Sequence, residues 1–327
     1  MFKKVLLTIL VVIVVVLAVG YWYLSSYLPN PPAAPDIQVE LTAERIERGR
    51  YLAHHVSVCM DCHAVRDWEF FAAPPFPETI GAGGDRFGRD MGLPGEVYAK
   101  NLTPTNLAAY TDGELFRAIT TGIDRNGNVL FPIMPFPHYA HLAEEDVNSL
   151  IAYLRTLEPV EGSYPDKELD FPLSILINTL GGTYLGPPSP PLSSDKLAYG
   201  EYMVQIAACG ECHYPGALGQ LDMTRPFAGG MEFKLPGGII VRPGNLTPDT
   251  ETGIGSWSKE YFIERFKMHD PAETPYMPVE LGQFNTVMPW TMYAGMSEED
   301  LGAIYDYLRT IEPIHNPVVK FTPPATE

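Results

Sequence analysis

Two short stretches of the sequence, Cys59-Met60-Asp61-Cys62-His63 and Cys209-Gly210-Glu211-Cys212-His213, share the pattern C-x-x-C-H. This is the spacing of a c-type haem attachment site. Two thiols three positions apart can reach the two vinyl groups on neighbouring edges of one porphyrin, and the histidine that follows is carried under the iron. The sequence therefore predicts two covalently bound haem c groups, attached through Cys59, Cys62, Cys209 and Cys212, with His63 and His213 as the proximal iron ligands.

Cysteine pairs have two other common functions, as a redox dithiol or as half of a zinc site. A redox dithiol does not require the adjacent histidine, and a zinc site built from both pairs leaves each histidine without a function. Two copies in equivalent contexts favour haem attachment. All four cysteines of the chain lie in these pentapeptides, so none is left for a disulfide.

The sequence from about residue 40 onward is an internal repeat. The motif Asn101-Leu102-Thr103-Pro104 recurs as Asn245-Leu246-Thr247-Pro248. The block from Met134-Pro135 to Glu158-Pro159 matches Met288-Pro289 to Glu312-Pro313 at a constant offset (288 − 134 = 154). The repeat predicts two equivalent units, which we call the first unit (40–160) and the second unit (195–316).

Each unit is predicted to contain a few helices joined by long loops. A first helix is expected to begin at Thr42, and its partner in the second unit near Ser194. The last helix of each unit has apolar residues at i, i+3, i+4 and i+7, and Ser297 with Asp300 has the pattern of a capping box. The Gly- and Pro-rich stretches 72–106 and 214–256 are predicted to be loops.

The N-terminal segment is apolar over the twenty residues from Val5 to Leu24, long enough to span a bilayer core of about 30 Å. Lys3 and Lys4 place the N-terminus on the cytoplasmic side. A cleaved signal peptide is the alternative, but the run is long and no convincing A-x-A site follows. We predict a single-pass protein of the bacterial inner (cytoplasmic) membrane, with its haem domains in the periplasm or on the outer face.

Outside the two units the chain divides into four further segments. Four prolines between Pro29 and Pro35 favour a stiff, extended tether. The connector is too long for a tight loop, and its apolar residues between 171 and 180 do not suit a free linker, so the whole segment is expected to strap across both units and fix their relative orientation. The segments are a transmembrane anchor (1–27), the Pro-rich tether (28–39), the connector (161–194) and a C-terminal tail (317–327).

Met134 and Met288 are the predicted distal iron ligands. Thioether sulfur is a usual sixth ligand of electron-transfer haems, and both methionines occupy the same repeat position beside a stiffening proline. The competing histidines do not recur between the units, although His55 remains an alternative (His54, His55, His138, His141 and His269). With histidine and methionine on each iron, no position is open to oxygen or peroxide, which favours electron transfer over catalysis at the haem.

The charge of the chain is strongly negative, 22 − 40 = −18. Such a field disfavours nucleic acid and anionic lipid surfaces and attracts a basic protein partner. Plain solubility explains the same charge equally well.

These motifs make the chain resemble proteins with tandem class I-type cytochrome c domains, in particular the cytochrome subunits of periplasmic alcohol and aldehyde dehydrogenases. The resemblance covers about 40–160 and 195–316 and implies a mostly α fold: two helical domains with long loops wrapped around covalent haem. It implies that Asn101, Asn245 and Trp257 contact haem, with Tyr110 in the position of Trp257, and that Arg125 binds a propionate. Two departures are visible, since such subunits typically carry three haems and the second unit has His269-Asp270-Pro271 in place of the Gly122–Gly127 turn.

The predicted function is that of a membrane-anchored dihaem electron carrier, not an enzyme in its own right. Its expected donor is a quinol-oxidising complex or a periplasmic dehydrogenase, and its acceptor a terminal oxidase or a soluble cytochrome. One alternative is a dihaem enzyme, such as a peroxidase or thiosulfate dehydrogenase, which needs one haem with an open sixth position and a neighbouring acid or base. Another is a structural cytochrome subunit of a larger respiratory complex.

Overall fold

The computed structural model of the protein describes residues 1–217 and 220–324. About 40% of the chain is helical and 8% is in strands, so the expectation of a mostly α fold is confirmed. The last three residues of the predicted tail lie outside the described residues. The α-helices are, in chain order, α1 (Phe2–Trp22), α2 (Ala43–Tyr51), α3 (Cys59–Cys62), α4 (Pro104–Leu107), α5 (Asp112–Thr121), α6 (Phe136–Tyr139), α7 (Glu144–Leu154), α8 (Leu173–Leu176), α9 (Lys196–Ile206), α10 (Cys209–His213), α11 (Lys259–Lys267), α12 (Trp290–Tyr293) and α13 (Glu298–Leu308).

Short antiparallel sheets interrupt the stretches that were predicted to be loops. In the first unit β1 (Arg86–Phe87) pairs with β2 (Gly95–Tyr98), and β2 also pairs with β3 (Glu168–Leu169) of the connector. A small hairpin, β4 (Gly216–Ala217) with β5 (Gln220–Leu221), follows the second pentapeptide. In the second unit β6 (Phe233–Leu235) pairs with β7 (Ile239–Val241), and β7 also pairs with β8 (Phe321–Thr322) of the C-terminal tail. In both three-stranded sheets the third strand comes from the chain that follows the last helix of the unit. Pairing of β3 with β2, and of β8 with β7, therefore fastens this following chain to the long loop after the pentapeptide.

The first and last helices of each unit cross at a glycine. In the first unit Gly49 of α2 lies against the backbone carbonyl of Ser149 in α7, and in the second Gly200 of α9 lies against that of Ala303 in α13. A β-carbon at either glycine would overlap the carbonyl oxygen, so only glycine permits this approach. The sequence repeat is thus matched by a repeated helix crossing.

The helix beginnings follow the predicted caps. The hydroxyl of Thr42 accepts from the backbone N–H of Arg45 at 3.3 Å, and α9 begins one residue after its cap, Asp195. Ser297 caps α13 by accepting from the N–H of Asp300 at 3.1 Å. The reciprocal half of a capping box is not formed there, because the Ser297 N–H donates to the hydroxyl of Tyr51 instead.

The tether and the connector both pack on the first unit. The N–H of Val39 donates to Asp112 at 2.9 Å, and Arg117 donates to the carbonyl of Pro32 at 3.3 Å. Within the described residues, the long-range hydrogen bonds of the connector end on the first unit or on the N-terminal helix. The expectation that the connector straps both units is therefore wrong. Its bonds include those of Pro187 with Glu144, Pro188 with Glu145, Leu185 with Ala140 and Gly182 with Thr121.

The two units contact each other directly through an approximately two-fold arrangement. Tyr202 of the second unit donates to Asp146 of the first at 2.6 Å, while Tyr51 of the first unit donates to Asp300 of the second. Each carboxylate is also held from within its own unit, Asp146 by Arg48 and Asp300 by Tyr199. A single apolar core, with residues from both units, continues across this contact. The interface, rather than the connector, orients the units.

The N-terminal helix projects from the first unit. Residues Phe2–Tyr27 form a helix, regular to Trp22 and π-helical over Tyr23–Tyr27. Among the described residues, this helix alone is long enough and apolar enough to cross a membrane. None of its residues is buried in the protein.

Candidate haem sites

The two C-x-x-C-H pentapeptides have the same backbone. The residue before each first cysteine is left-handed, Val58 with φ 41° and Ala208 with φ 52°. This conformation costs a non-glycine residue about 1 kcal/mol, and it starts a short helical turn. Cysteines three positions apart on such a turn share one face. Both pairs of thiols are therefore presented in the same way.

Each histidine of the motifs is oriented by a backbone carbonyl. His63 donates its Nδ1–H to Lys100 at 2.6 Å, and His213 donates its Nδ1–H to Gly244 at 2.8 Å. Such a bond fixes the ring and leaves Nε2 as the atom that binds a metal. Burial lowers the pKa of His63, and it lowers that of His213 to about 4. Both imidazoles are thus neutral at pH 7, the form that coordinates iron.

No disulfide joins the four cysteines, and their setting disfavours the thiolate. Burial raises the pKa of Cys59, Cys209 and Cys212 to about 12, and that of Cys62 further. A redox dithiol depends on a lowered pKa. Over residues 1–217 and 220–324, no three His, Cys, Asp or Glu side chains converge as a metal site would require. Paired thiols beside an oriented imidazole fit haem c, and the raised thiol pKa values weigh against a redox dithiol.

The predicted distal methionines lie in equivalent turns. The carbonyl of Met134 accepts from the N–H of Phe136 at 2.7 Å, and that of Met288 from Trp290 at 2.8 Å. Both side chains are half-buried against the main core. Each turn leads into a short helix, α6 or α12, whose tyrosine bonds to the residue two positions before the first cysteine. These bonds join Tyr139 to the Ser57 carbonyl at 2.6 Å and Tyr293 to the Ala207 carbonyl at 2.7 Å. Every methionine turn is thereby fastened to the attachment helix of its own unit.

Asn101 and Asn245 form matching turns held by their side chains. The amide oxygen of each accepts from the backbone N–H of the threonine two residues later, at 2.7 Å for Thr103 and 2.9 Å for Thr247. The amide nitrogens donate to the carbonyls of Val160 and Ile314 at 2.8 and 2.7 Å, after the last helix of each unit. Their described contacts are therefore those of turn residues, and contact with haem stays a prediction.

The other residues suggested by the resemblance lie at corresponding loops. The carbonyl of Tyr110 accepts from Arg155, and that of Trp257 accepts from Tyr305 at 2.6 Å. The guanidinium of Arg125 lies over the ring of Tyr110, 5.5 Å from its centroid. No described hydrogen bond joins the Arg125 side chain to the first pentapeptide, so its binding to a propionate also stays a prediction.

A buried charge cluster beside the first site was missed at the level of sequence. Arg66 lies between Asp85, at 2.7 Å, and Asp61 of the pentapeptide, at 3.4 Å, with all three side chains buried. Its guanidinium also lies 4.9 Å from the centroid of the Trp68 ring. Burial raises the pKa of Asp61 to about 6. In the sequence, the cluster is indicated only by Arg66 itself, an arginine three residues after His63 that has no counterpart after His213.

The two sites adjoin each other across the interface between the units. The Ser57 hydroxyl, two residues before Cys59, donates to the carbonyl of Ile206 at 3.2 Å. Nε2 of His138, next to Tyr139 in α6, lies 3.2 Å from a carboxylate oxygen of Glu211 in the second pentapeptide. Burial, with smaller contributions from Cys59 and from Tyr293, raises the pKa of Tyr139 well above its usual value. The sequence repeat pairs Tyr139 with Tyr293, but it does not show that each tyrosine hydroxyl bonds to a carbonyl next to the attachment site.

Known proteins similar to this chain include cytochrome c subunits of dehydrogenases. The chain is 28% identical over 290 residues to the cytochrome c subunit of a quinone alcohol dehydrogenase from Gluconacetobacter polyoxogenes, covering 82% of this chain and 56% of that subunit. It is 29% identical over 296 residues to a fructose dehydrogenase cytochrome subunit from Gluconobacter japonicus, covering 86% of this chain and 56% of the relative. The chain thus spans little more than half the length of these relatives.

A third relative matches in length as well. A dihaem c-type cytochrome from Cereibacter sphaeroides is 29% identical over 308 residues, covering 91% of this chain and 94% of the relative. No family model matches the chain. The predicted resemblance to cytochrome c subunits of dehydrogenases is confirmed, and the similarities support an electron-transfer role with haem c as cofactor.

Proposed function

We propose that the protein is a membrane-anchored dihaem c-type cytochrome that passes single electrons between redox partners on the periplasmic side of the bacterial inner membrane. The observation that carries the proposal is the double occurrence of one arrangement. In each unit a pair of thiols, an imidazole oriented through Nδ1 and a methionine turn tied to the attachment helix occur together. The full-length similarity to a dihaem cytochrome supports a count of two.

When bound, each haem supplies an iron that gains and loses one electron. The chain's own residues would hold it: Cys59, Cys62, Cys209 and Cys212 would form the thioether links, and His63 and His213, whose Nδ1 atoms are already bonded, would bind the iron. Met134 and Met288 would supply the remaining iron ligands. The first and second units, 40–160 and 195–316, are in this proposal two tandem cytochrome c domains with one site each.

The matching geometry supports transfer rather than catalysis. An enzyme at one haem requires an asymmetric pair, with an open ligand position on one iron. Here the histidine bonds, the methionine turns and the tyrosine bonds recur in both units. The adjoining position of the sites supports passage of electrons from one haem to the other within the chain.

The proposed electron donor is suggested by the relatives. Subunits of quinone alcohol dehydrogenase and fructose dehydrogenase are among the relatives, which favours a dehydrogenase as donor. A quinol-oxidising complex is the other donor we retain, with a terminal oxidase or soluble cytochrome as acceptor. The N-terminal helix Phe2–Tyr27 supports retention at the membrane.

Haem counting and low-temperature spectroscopy of the purified full-length protein test the proposal. We expect two covalent haems per chain and a sulfur-to-iron band near the red end of the visible spectrum. Met134→Ala and Met288→Ala should each remove about half of that band, because each removes one sulfur ligand. Met223→Ala is the matched control, since Met223 is exposed and has no repeat counterpart. A full band in both ligand variants would refute the methionine assignment, and a colourless chain would refute the function.

A further inference from the structure

The apolar stretch of the connector lies against the end of the N-terminal helix. The side-chain amide of Asn178 donates to the backbone carbonyl of Leu24 at 2.9 Å. That carbonyl belongs to the π-helical end of the helix, where backbone acceptors lack partners within the helix. Helix α8 and the turn Ile177–Thr179 both contact this end. The bond fixes the connector at the level of Leu24.

The level of Leu24 can be placed relative to the proposed membrane. The apolar run from Val5 to Leu24 contains twenty residues, and a helix of that length rises about 30 Å. This equals the thickness of a bilayer hydrocarbon core. Leu24 therefore marks the outer edge of the core, and Tyr21, Trp22, Tyr23 and Tyr27 around it form the aromatic belt typical of that interface.

The connector has two different sides at this level. Ile177 is buried in a small apolar cluster with residues of the first unit, namely Ile123, Val129 and Phe136. Phe171, by contrast, is 80% exposed, and Leu176 and Leu180 are each 42% exposed. One side of the stretch is therefore fixed to the first unit, and the other presents large apolar side chains beside a transmembrane helix.

We propose that residues 171–180 form a second membrane-contact surface. In this surface Phe171, Leu176 and Leu180 enter the lipid interface of the outer leaflet, beside the Leu24 end of the N-terminal helix. The occupant is lipid because the surface is continuous with a helix whose length fits the bilayer. This inference rests on the proposed anchor. Its consequence is that the first unit does not swing on a free tether, since tether residues Pro32 and Val39 are also bonded to it. The first unit is held at one orientation above the membrane.

Spin labels on the full-length, haem-loaded protein in phosphatidylcholine nanodiscs test this surface. Phe171→Cys and Leu281→Cys are a matched pair, because both native side chains are 80% exposed and Leu281 lies in the second unit. The native cysteines are consumed by the thioether links, so each variant takes up one label. We expect the label at position 171 to collide several-fold more with oxygen, and several-fold less with a water-soluble nickel chelate, than the label at 281. Leu180→Cys should behave like the label at 171.

The outcomes separate this inference from the proposed function. Equal accessibility to the nickel chelate at 171, 180 and 281, in protein that resists a carbonate wash, would overturn the contact surface and leave the anchor standing. Release of the chain by carbonate would contradict the anchor and the surface together. Uptake of label by the wild-type protein would show that native thiols are unattached, which contradicts the haem assignment. Unchanged haem absorbance in each variant confirms that it is folded.

Discussion

The two pentapeptides carry a carboxylate at the same position, Asp61 in the first unit and Glu211 in the second, but the surroundings of these groups differ. The side chain of Asp61 is 5% exposed and lies beside Arg66, which also binds Asp85. The side chain of Glu211 is 27% exposed and has His138 of the other unit as its neighbour. One backbone arrangement is therefore combined with two electrostatic environments, a buried cluster and a more solvated pair.

The same contrast appears at the interface between the units. Asp146 and Asp300 occupy equivalent positions in the first turn of the last helix, and both are buried. Asp146 accepts two bonds from the guanidinium of Arg48 and one from Tyr202. Asp300 accepts from two tyrosine hydroxyls, those of Tyr51 and Tyr199. The two units share the carboxylate acceptor, while the donor from within the unit is an arginine in the first unit and a tyrosine in the second.

The largest effect should come from neutralising these interface carboxylates one at a time. Asp146→Asn leaves the guanidinium of Arg48 without its counter-charge, and breaking such a pair costs about 3 kcal/mol of unfolding free energy. Asp300→Asn leaves neutral hydroxyls with a poorer acceptor, for which we expect about 1–2 kcal/mol. Chemical denaturation followed by far-UV circular dichroism measures both.

Replacing Arg48 provides a control for the comparison of Asp146→Asn with Asp300→Asn. In an Arg48→Tyr background, which copies Tyr199 of the second unit, Asp146→Asn should cost no more than Asp300→Asn does. Equal costs for the two single variants in the native background would show that the charge on Arg48 is irrelevant to the interface.

The units also differ by one residue before the attachment site, and this difference predicts a pH effect. Ten positions separate Gly49 from Cys59 (59 − 49 = 10), whereas nine separate Gly200 from Cys209 (209 − 200 = 9). The extra residue is accommodated in a π-helical turn, Leu52–Val56, which carries His54 and His55. The second unit has Gln205 in the corresponding part of its helix.

Acidification should destabilise the protein through His54. Its Nε2 is 2.7 Å from the hydroxyl of Tyr153, and burial, helped by His55 and Arg50, lowers its pKa to about 4. Between the ordinary pKa near 6.5 and this value the unfolded chain binds the proton and the folded one does not, so stability falls as pH drops through that window. We expect a loss of about 2 kcal/mol, reduced from the full shift because the ring is partly exposed.

His54→Gln, which copies the second unit, should flatten this part of the stability–pH profile, measured by denaturation at pH 4.5, 5.5, 6.5 and 7.5. His141→Gln serves as the control, because that side chain is exposed and takes part in none of the described ion pairs, so the slope should be the same as in the wild type. An unchanged slope in the His54 variant would mean that other groups govern the acid response.

Local chemistry explains what the sequence alone predicted. The thiol spacing, the methionine–proline pairs and the caps at Thr42 and Ser297 depend on residues a few positions apart, so they can be identified without a structure. The sequence repeat tests the thiol spacing and the methionine–proline pairs a second time. A residue that the cofactor needs should recur in both units, whereas an incidental residue need not. The extra residue before Cys59 was visible in the same comparison, but its π-helical turn was not.

The features that could not be predicted depend on partners far apart in the chain. Arg66 meets Asp85 through the loop that follows the first site, and Tyr51 meets Asp300 through the packing of one unit on the other. Apolar composition showed that the connector must be covered but not by what, and the expectation of a strap across both units was wrong for that reason. A side chain with several suitable partners, such as Asp300, is assigned only once the packing is known.

The smallest effect should be a difference between the two haems in reduction potential. A buried negative charge favours the ferric form, so we expect the haem beside Asp61 to have the lower midpoint. Asp61→Asn should raise that midpoint by about 60 mV, which corresponds to a tenfold change in the one-electron equilibrium. Glu211→Gln should raise the other by less, because solvent and salt screen a more exposed charge. Redox titration followed by visible absorbance, fitted with two components, resolves both, and the exposed Glu69→Gln should shift neither. Equal shifts from Asp61→Asn and Glu211→Gln would mean that the buried cluster does not distinguish the two sites, since burial is what separates these two carboxylates.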